Sequence, residues 1–182
     1  MPLADCRYVM NILEKNMTAG KEETLIYRQA SEKDIEAIRA LIQKRIEWMD
    51  QVGIHQWNET EYLDVYDIPY FKRNISYFYL AMQKDELVGV AALYEEDERW
   101  PDHKPAIYVH HLTSITNGKG IGRQLLAYAE EIAREKGFDR IRLDSDKDNK
   151  VLESFYTQMG YVELDGFVDG LYCGIRREKY LR

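Results

Sequence analysis

Gly118, Gly120 and Gly122 stand at alternate positions at the end of the run Ile107-Tyr-Val-His-His-Leu-Thr-Ser-Ile-Thr-Asn-Gly-Lys-Gly-Ile-Gly122, between two kinds of periodicity. Alternating apolar residues precede them, and Ile121, Leu125, Leu126, Ala129, Ile132 and Ala133 follow at helical spacing. A strand that passes through such a turn into a helix makes an anion site. Without a β-carbon the backbone bends sharply and comes close to a ligand, and the first free N–H groups and the positive end of the helix dipole point at it. Spacing then selects among anions. The nucleotide P-loop, Gly-x-x-x-x-Gly-Lys-Ser/Thr, occurs nowhere in the chain. The dinucleotide fingerprint needs Gly-x-Gly-x-x-Gly beside a first strand, whereas here Gly-x-Gly-x-Gly falls about two-thirds along, after a meander of strands with no βαβ half before it. Asp144 stands where a ribose-binding acid would, but it does not rescue that reading. The same run carries His110 and His111, whose imidazoles titrate in the range needed to move a proton near neutrality.

Asn117-Gly-Lys-Gly-Ile-Gly-Arg-Gln-Leu-Leu126 resembles the acetyl-CoA signature of the GNAT superfamily of N-acetyltransferases, Arg/Gln-x-x-Gly-x-Gly/Ala followed by Leu-Leu. A separate segment, Asn149-Lys-Val-Leu-Glu-Ser-Phe-Tyr-Thr-Gln-Met-Gly-Tyr161, is similar to that family's Asn-x-x-x-x-x-Phe-Tyr-x-x-x-Gly-Phe. The likeness spans about residues 25 to 178 and departs at Asn117, where the family usually has Arg or Gln. It implies an α/β fold: a mixed, largely antiparallel six- to seven-stranded sheet, helices on both faces, and a splay between the fourth and fifth strands. It also implies acetyl-CoA as co-substrate and transfer of the acetyl group to a primary amine by direct attack in a ternary complex. On this resemblance the pantetheine arm pairs with the strand edge from His110 to Ser114, through Leu112, Thr113 and Ser114, like an added strand. The pyrophosphate sits in the turn of Asn117, Gly118, Lys119, Gly120, Ile121, Gly122 and Arg123, with Lys119 and Arg123 as candidates for the remaining charge. The Leu112 N–H is the expected oxyanion donor. Asn149 resembles the asparagine that binds pantetheine or its water, with helix capping as the competing role.

Acetyl transfer from a thioester needs a neutral amine, a stabilised carbonyl oxygen and a proton for the departing thiolate. Tyr156 aligns with the family's tyrosine, and a phenol of ordinary pKa near 10 keeps a proton to give; packing beside Phe155 is its alternative. For the proton acceptor, His110 and His111 lie on opposite faces of one strand, so only one faces a cleft unless a bulge intervenes. Glu47, Asp144 and water are the rivals. The acceptor pocket is expected from the first two helices and their connection. Nine of the 22 aromatic residues fall between Trp48 and Tyr79. Trp48, Trp57, Tyr62, Tyr66 and Tyr70 are candidate walls, Glu47, Asp50 and Glu59 candidate partners of an ammonium group, and residues 53–58 a candidate substrate loop. Packing of helix on sheet is the other reading of these aromatics.

The elements that must hold these residues follow from pattern. A strand is expected over Thr24 to Gln29. Ser31-Glu-Lys-Asp34 resembles a capping box, opening a helix with Ile35, Ile38, Ile42, Ile46 and Met49 on one face and ending before Gly53. A second helical stretch runs from about Glu61 to Asn74, interrupted or bent at Pro69. Strands over Ser76 to Gln83 and Leu87 to Glu95 join through Lys84-Asp-Glu86, and Arg99 to Pro105 is a loop. Ile107 to Ser114 is a strand, Gly120 to Lys136 a helix stopped by Gly137, Arg140 to Asp144 a strand, and Asn149 to Met159 a helix closed by Gly160. Tyr161 to Leu164 and Leu171 to Arg176 form a final hairpin.

The 182 residues suffice for one sizeable core, divided as an N-terminal extension over 1–24 and one domain over 25–182. Val9, Met10, Ile12 and Leu13 of the extension would line a short amphipathic helix if it docks, against the alternative of a loose tail. The absence of a run of about 20 apolar residues and of a cationic leader argues against a membrane and for the cytoplasm. A formal net charge of -7 disfavours nucleic acid and favours a cationic partner. Cys6 and Cys173 are too few for a disulfide framework or a metal site and poorly placed for an acetyl-cysteine route, so no metal is expected. A small-molecule or peptide amine is the expected partner and a homodimer the commonest assembly for such a chain. The alternative is a non-catalytic acyl-CoA-binding sensor or regulatory subunit.

Overall fold

The computed structural model describes residues 24–115 and 120–181. Seven strands form one sheet in the order β1-β2-β3-β4-β5-β7-β6. These are β1 (Ile26–Gln29), β2 (Phe78–Gln83), β3 (Glu86–Tyr94), β4 (Ile107–Ser114), β5 (Arg140–Asp146), β6 (Val162–Asp169) and β7 (Tyr172–Tyr180). Every neighbouring pair is antiparallel except β4 and β5. Helix α1 (Ile35–Val52) and the short α2 (Tyr62–Val65) and α3 (Ile68–Asn74) precede β2, α4 (Ile121–Glu135) joins β4 to β5, and α5 (Lys150–Gln158) joins β5 to β6.

Alternation along the strands divides the core in two. Phe78, Leu80, Val90 and Ala92 face α1 and α3, packing on Ile38, Ile42 and Phe71. Ala81, Val88, Ala91, Leu93, Ile107, Val109, Ile141 and Leu143 face α4 and α5, packing on Leu125, Leu126, Ala129 and Tyr156. At Gly89 α4 lies close on the sheet: a β-carbon there would meet Ile121 Cγ2 at 3.0 Å.

The α1 boundaries agree with their sequence signals. The Ser31 N–H and hydroxyl both donate to Asp34 Oδ2, at 2.8 and 2.9 Å, and Arg28 forks onto the same carboxylate. Gly53 ends the helix in the left-handed region at φ 68°. The stretch from Glu61 to Asn74 is two helices rather than one bent one. Asp67 caps α3 by accepting from the Tyr70 N–H at 2.8 Å, and Pro69 falls in the first turn, where its missing N–H has no partner to lose. The final hairpin is longer than the sequence signals indicate. Asp165-Gly166 reads as a breaker, but a register shift between Glu163 and Gly166 absorbs it. The charged end of β7 is paired: Arg177 meets Glu163 at 3.2 Å and Lys179 meets Glu130 at 2.7 Å.

Two irregularities of β4 create the cleft. Its pairing with β5 covers only Ile107 with Ile141 and Tyr108 with Arg142, so beyond Tyr108 the facing edges are open. On its other side, the register shifts between Val90 and Ala92 of β3, which pair with Thr113 and His110. The extra residue is on β4, and His111 takes φ +52° there.

Candidate active site

A cavity of about 700 Å³ runs through the splay between β4 and β5, from the N-terminus of α4 to the aromatic residues of α1 and α2. The bulge brings together what strict alternation would separate. His110 and His111 both line this cavity, their ring centroids 6.4 Å apart. Their surroundings make them chemically different.

His111 is buried, stacked on Phe78 at 5.4 Å between centroids, with both nitrogens engaged. Tyr62 Oη lies 2.7 Å from Nδ1 and Tyr70 Oη 2.9 Å from Nε2, and Tyr70 continues to Tyr94 Oη at 2.8 Å. Burial, then the nearby His110 and Arg99 charges, pushes its pKa down to about 3. The ring is therefore neutral, donating from one nitrogen and accepting at the other, and burial raises the phenols of Tyr62 and Tyr70. His110 is half-buried and places Nε2 2.9 Å from Asp97 Oδ2. Burial alone would raise the Asp97 pKa; the hydrogen bond and charge of His110, with Arg99, hold it below the usual range instead. An ionised carboxylate only accepts, so Nε2 carries a proton, and in the neutral ring the lone pair is on Nδ1. Nδ1 has no hydrogen-bond partner among the described residues.

Tyr156 is buried across the cavity, and no hydrogen bond to its hydroxyl occurs among the described residues. Burial, reinforced by the Asp144 charge, raises its pKa, so the phenol remains protonated. Asp144 accepts from Tyr172 Oη at 2.7 Å, and Arg99 spans the floor between it, at 3.9 Å, and Asp169, at 2.8 Å. The loop bearing Asp97 and Arg99 is anchored from beneath. Arg142, 1 % exposed, forks onto Asp102 at 2.7 and 2.8 Å, meets Glu178 at 2.6 Å and lies under Trp100. What the sequence marks as a plain loop is thus a fixed wall of the site.

The other expected residues divide into three groups. Leu112, Thr113, Ser114, Gly120, Gly122, Arg123 and Asn149 line the cavity, as do Trp48, Trp57 and Tyr62. Asn149 also caps α5, its Oδ1 accepting from the Leu152 N–H at 3.1 Å. Ile121 and Glu47 do not line it. The Ile121 side chain is buried under Gly89, and Glu47 is on the exposed face of α1, where Gln43 Nε2 donates to it at 3.0 Å. Asn117, Gly118 and Lys119 lie outside the described residues, as does the extension up to residue 23. Gly120 has φ 79°, the left-handed conformation that calls for glycine at the entrance to α4.

Sequence reasoning missed Arg45, Asp97, Arg99, Asp169 and Tyr172. For Arg45 a signal existed: it interrupts the buried stripe Ile38, Leu41, Ile42, Met49 of α1 with a cation. For the others none did, since they meet only through the tertiary fold.

A mixed seven-stranded sheet, opened between its parallel pair β4 and β5 and bulged beside the opening, with a glycine-led helix at one end of the cleft, defines an acetyltransferase fold. The chain belongs to the Acetyltransferase (GNAT) family, whose sequence model matches residues 42–161. It is 30 % identical over 138 residues to the uncharacterized N-acetyltransferase YesJ of Bacillus subtilis, covering 70 % of this chain and 76 % of that one. Among solved structures it is similar to a GNAT-family acetyltransferase from Listeria monocytogenes, at TM-score 0.69, 20 % identity, 86 % of this chain and 95 % of that one. It is also similar to PaiA N-acetyltransferase from Thermoplasma acidophilum in complex with coenzyme A, at TM-score 0.68, 22 % identity, 86 % of this chain and 99 % of that one. Among the described residues no helix is long and apolar enough to cross a membrane.

Proposed function

We propose that this protein transfers the acetyl group of acetyl-CoA to a primary amine by direct attack in a ternary complex. The observation that carries the reading is the pairing of two groups across one cleft: a protonated phenol on α5 and an imidazole on β4 whose Nε2 is held by Asp97 and whose Nδ1, like the phenol, has no hydrogen-bond partner among the described residues. The open edges of β4 and β5 are suited to the pantetheine arm, and the entrance to α4 to the pyrophosphate. That the coenzyme A-bound PaiA protein shares this fold supports acetyl-CoA as the donor.

The amine nitrogen bonds to the thioester carbonyl carbon as the carbon–sulfur bond breaks. The proton leaving the amine goes to His110 Nδ1, with Asp97 holding the tautomer that keeps this nitrogen free and stabilising the charge that forms. Tyr156 gives its proton to the departing sulfur and recovers one from solvent. His111 is unsuited to the acceptor role, because both its nitrogens are engaged and a conjugate acid of pKa about 3 is too weak a partner for an ammonium proton.

Replacing Tyr156 by Phe tests the assignment. Turnover, read as CoA release with an accepted amine, falls about a hundredfold or more, while the dissociation constant for CoA by calorimetry stays within about twofold. Unchanged turnover would remove Tyr156 from the mechanism, and loss of CoA binding would make it a packing residue.

A further inference from the structure

The proton chemistry leaves two polar groups of the cavity unused. Arg45 sits in the apolar stripe of α1 and reaches the cavity, where Nη2 donates to the Ser114 carbonyl and the guanidinium lies 4.8 Å over the Trp48 ring. Nη2 also reaches Ser114 Oγ at 3.4 Å; among the described residues the other N–H groups have no acceptor and no carboxylate pairs with the guanidinium. Arg99, Arg142 and Arg177 are different: each has a carboxylate within 3.2 Å. A partly buried guanidinium without a counter-ion is unfavourable in the free protein and becomes favourable when an anion arrives.

Thr113 supplies the second observation. It is only 5 % exposed, lines the cavity, and its buried Oγ1 has no hydrogen-bond partner among the described residues. It pairs with Val90 of β3, which belongs to the α1-facing core, so its hydroxyl is on the α1 side of β4; Ser114, opposite Gly89, faces the first turn of α4. The Thr113 side chain is therefore on the α1 face of β4, the face from which Arg45 reaches the cavity.

We propose that Arg45 and Thr113 form the subsite for a carboxylate carried by the acceptor, making that acceptor an amino acid or an amine with a comparably placed carboxylate rather than a polycation. The inference rests on the acetyl-transfer reading only for which end reacts. The amine end lies toward His110, Asp97 and Asp144, the anionic end toward Arg45, and the aromatic walls cover what lies between.

The test uses the full chain saturated with CoA and measures binding by calorimetry for matched pairs: aromatic and aliphatic amino acids, each beside the amine that lacks the carboxylate, with spermidine as the polycation. At least one amino acid binds about ten- to a hundredfold tighter than its decarboxylated partner. Arg45→Gln abolishes that preference with CoA affinity within twofold, Arg45→Lys restores part of it, and Thr113→Val, which keeps shape and fold, reduces it. Equal or tighter binding of the plain amines or spermidine, no binding by any probe, or an Arg45→Gln defect confined to CoA each overturns the proposal. CoA release from acetyl-CoA in parallel samples keeps the two readings apart: carboxylate preference without release upholds the subsite and removes the transferase.

Discussion

A phenol with a pKa near 10 and an imidazole with one near 6.5 already differ as acid and base by residue type, and their surroundings fix which tyrosine and which histidine can act. Burial leaves Tyr156 protonated, and Asp97 engages His110 Nε2, so that the lone pair of the neutral ring is on Nδ1. His110→Gln is accordingly expected to lower kcat by about 10²- to 10⁴-fold with little change in the acceptor KM, and Asp97→Asn by less, because an amide no longer dictates the tautomer. Steady-state kinetics over a range of pH measures both. A His110→Gln enzyme within tenfold of the parent would transfer the role to water or Asp144. The adjacent His111 was indistinguishable from His110 in the sequence, because what divides them is one extra residue in a strand and the side chains of Tyr62, Tyr70 and Phe78 from elsewhere in the chain.

The turn into α4 and the loop ahead of β4 set the geometry of the cleft, and each answers differently to substitution. Gly120 holds φ 79°, so Gly120→Ala destabilises by about 1 kcal/mol or more, about 2 to 4 °C in Tm. At Gly122 a β-carbon would sit 3.9 Å from Ser114 Oγ, an ordinary contact, and Gly122→Ala folds with Tm within about 1 °C. Differential scanning calorimetry of the two variants separates a glycine needed for the turn from one that leaves room in the cavity. Arg142→Met leaves Glu178, 7 % exposed, without its closest partner and frees the Asp102 anchor. It is expected to destabilise by about 3 kcal/mol or more and to lower kcat, since the loop it secures carries Asp97. Full activity in a folded Arg142→Met protein would show that Asp97 is positioned by other contacts.

Across the whole molecule, the neutral His111 makes stability depend on pH. The unfolded imidazole has a pKa of about 6.5 and the folded one is pushed down to about 3. In that window the unfolded chain binds a proton that the fold does not, so stability rises with pH by up to about 1.4 kcal/mol per unit and levels off above about 6.5. The depressed carboxylates Asp34 and Asp102 act in the same direction but lower down, losing their contribution as pH falls below about 4. Urea midpoints between about pH 4.5 and 7.5 report the histidine alone among these three. A flat profile below pH 6.5 would mean that His111 is protonated in the fold.

The sequence by itself determined the family, the order of strands and helices, the capped start of α1 and the tyrosine facing the cleft, because these depend on local periodicity, on turn chemistry and on two motifs contiguous in the chain. The split of α2 from α3 and the length of the last hairpin were obscured by Pro69 and Asp165-Gly166, breakers whose effect depends on where the neighbouring backbone bonds. Tertiary structure alone decided which histidine has a free nitrogen, that Asp97, 13 residues earlier in the chain, holds its ring, and that Arg45 enters the cleft with no carboxylate partner among the described residues. Burial and pairing between distant segments set those properties, and neither is encoded in the spacing of residues along one strand or helix.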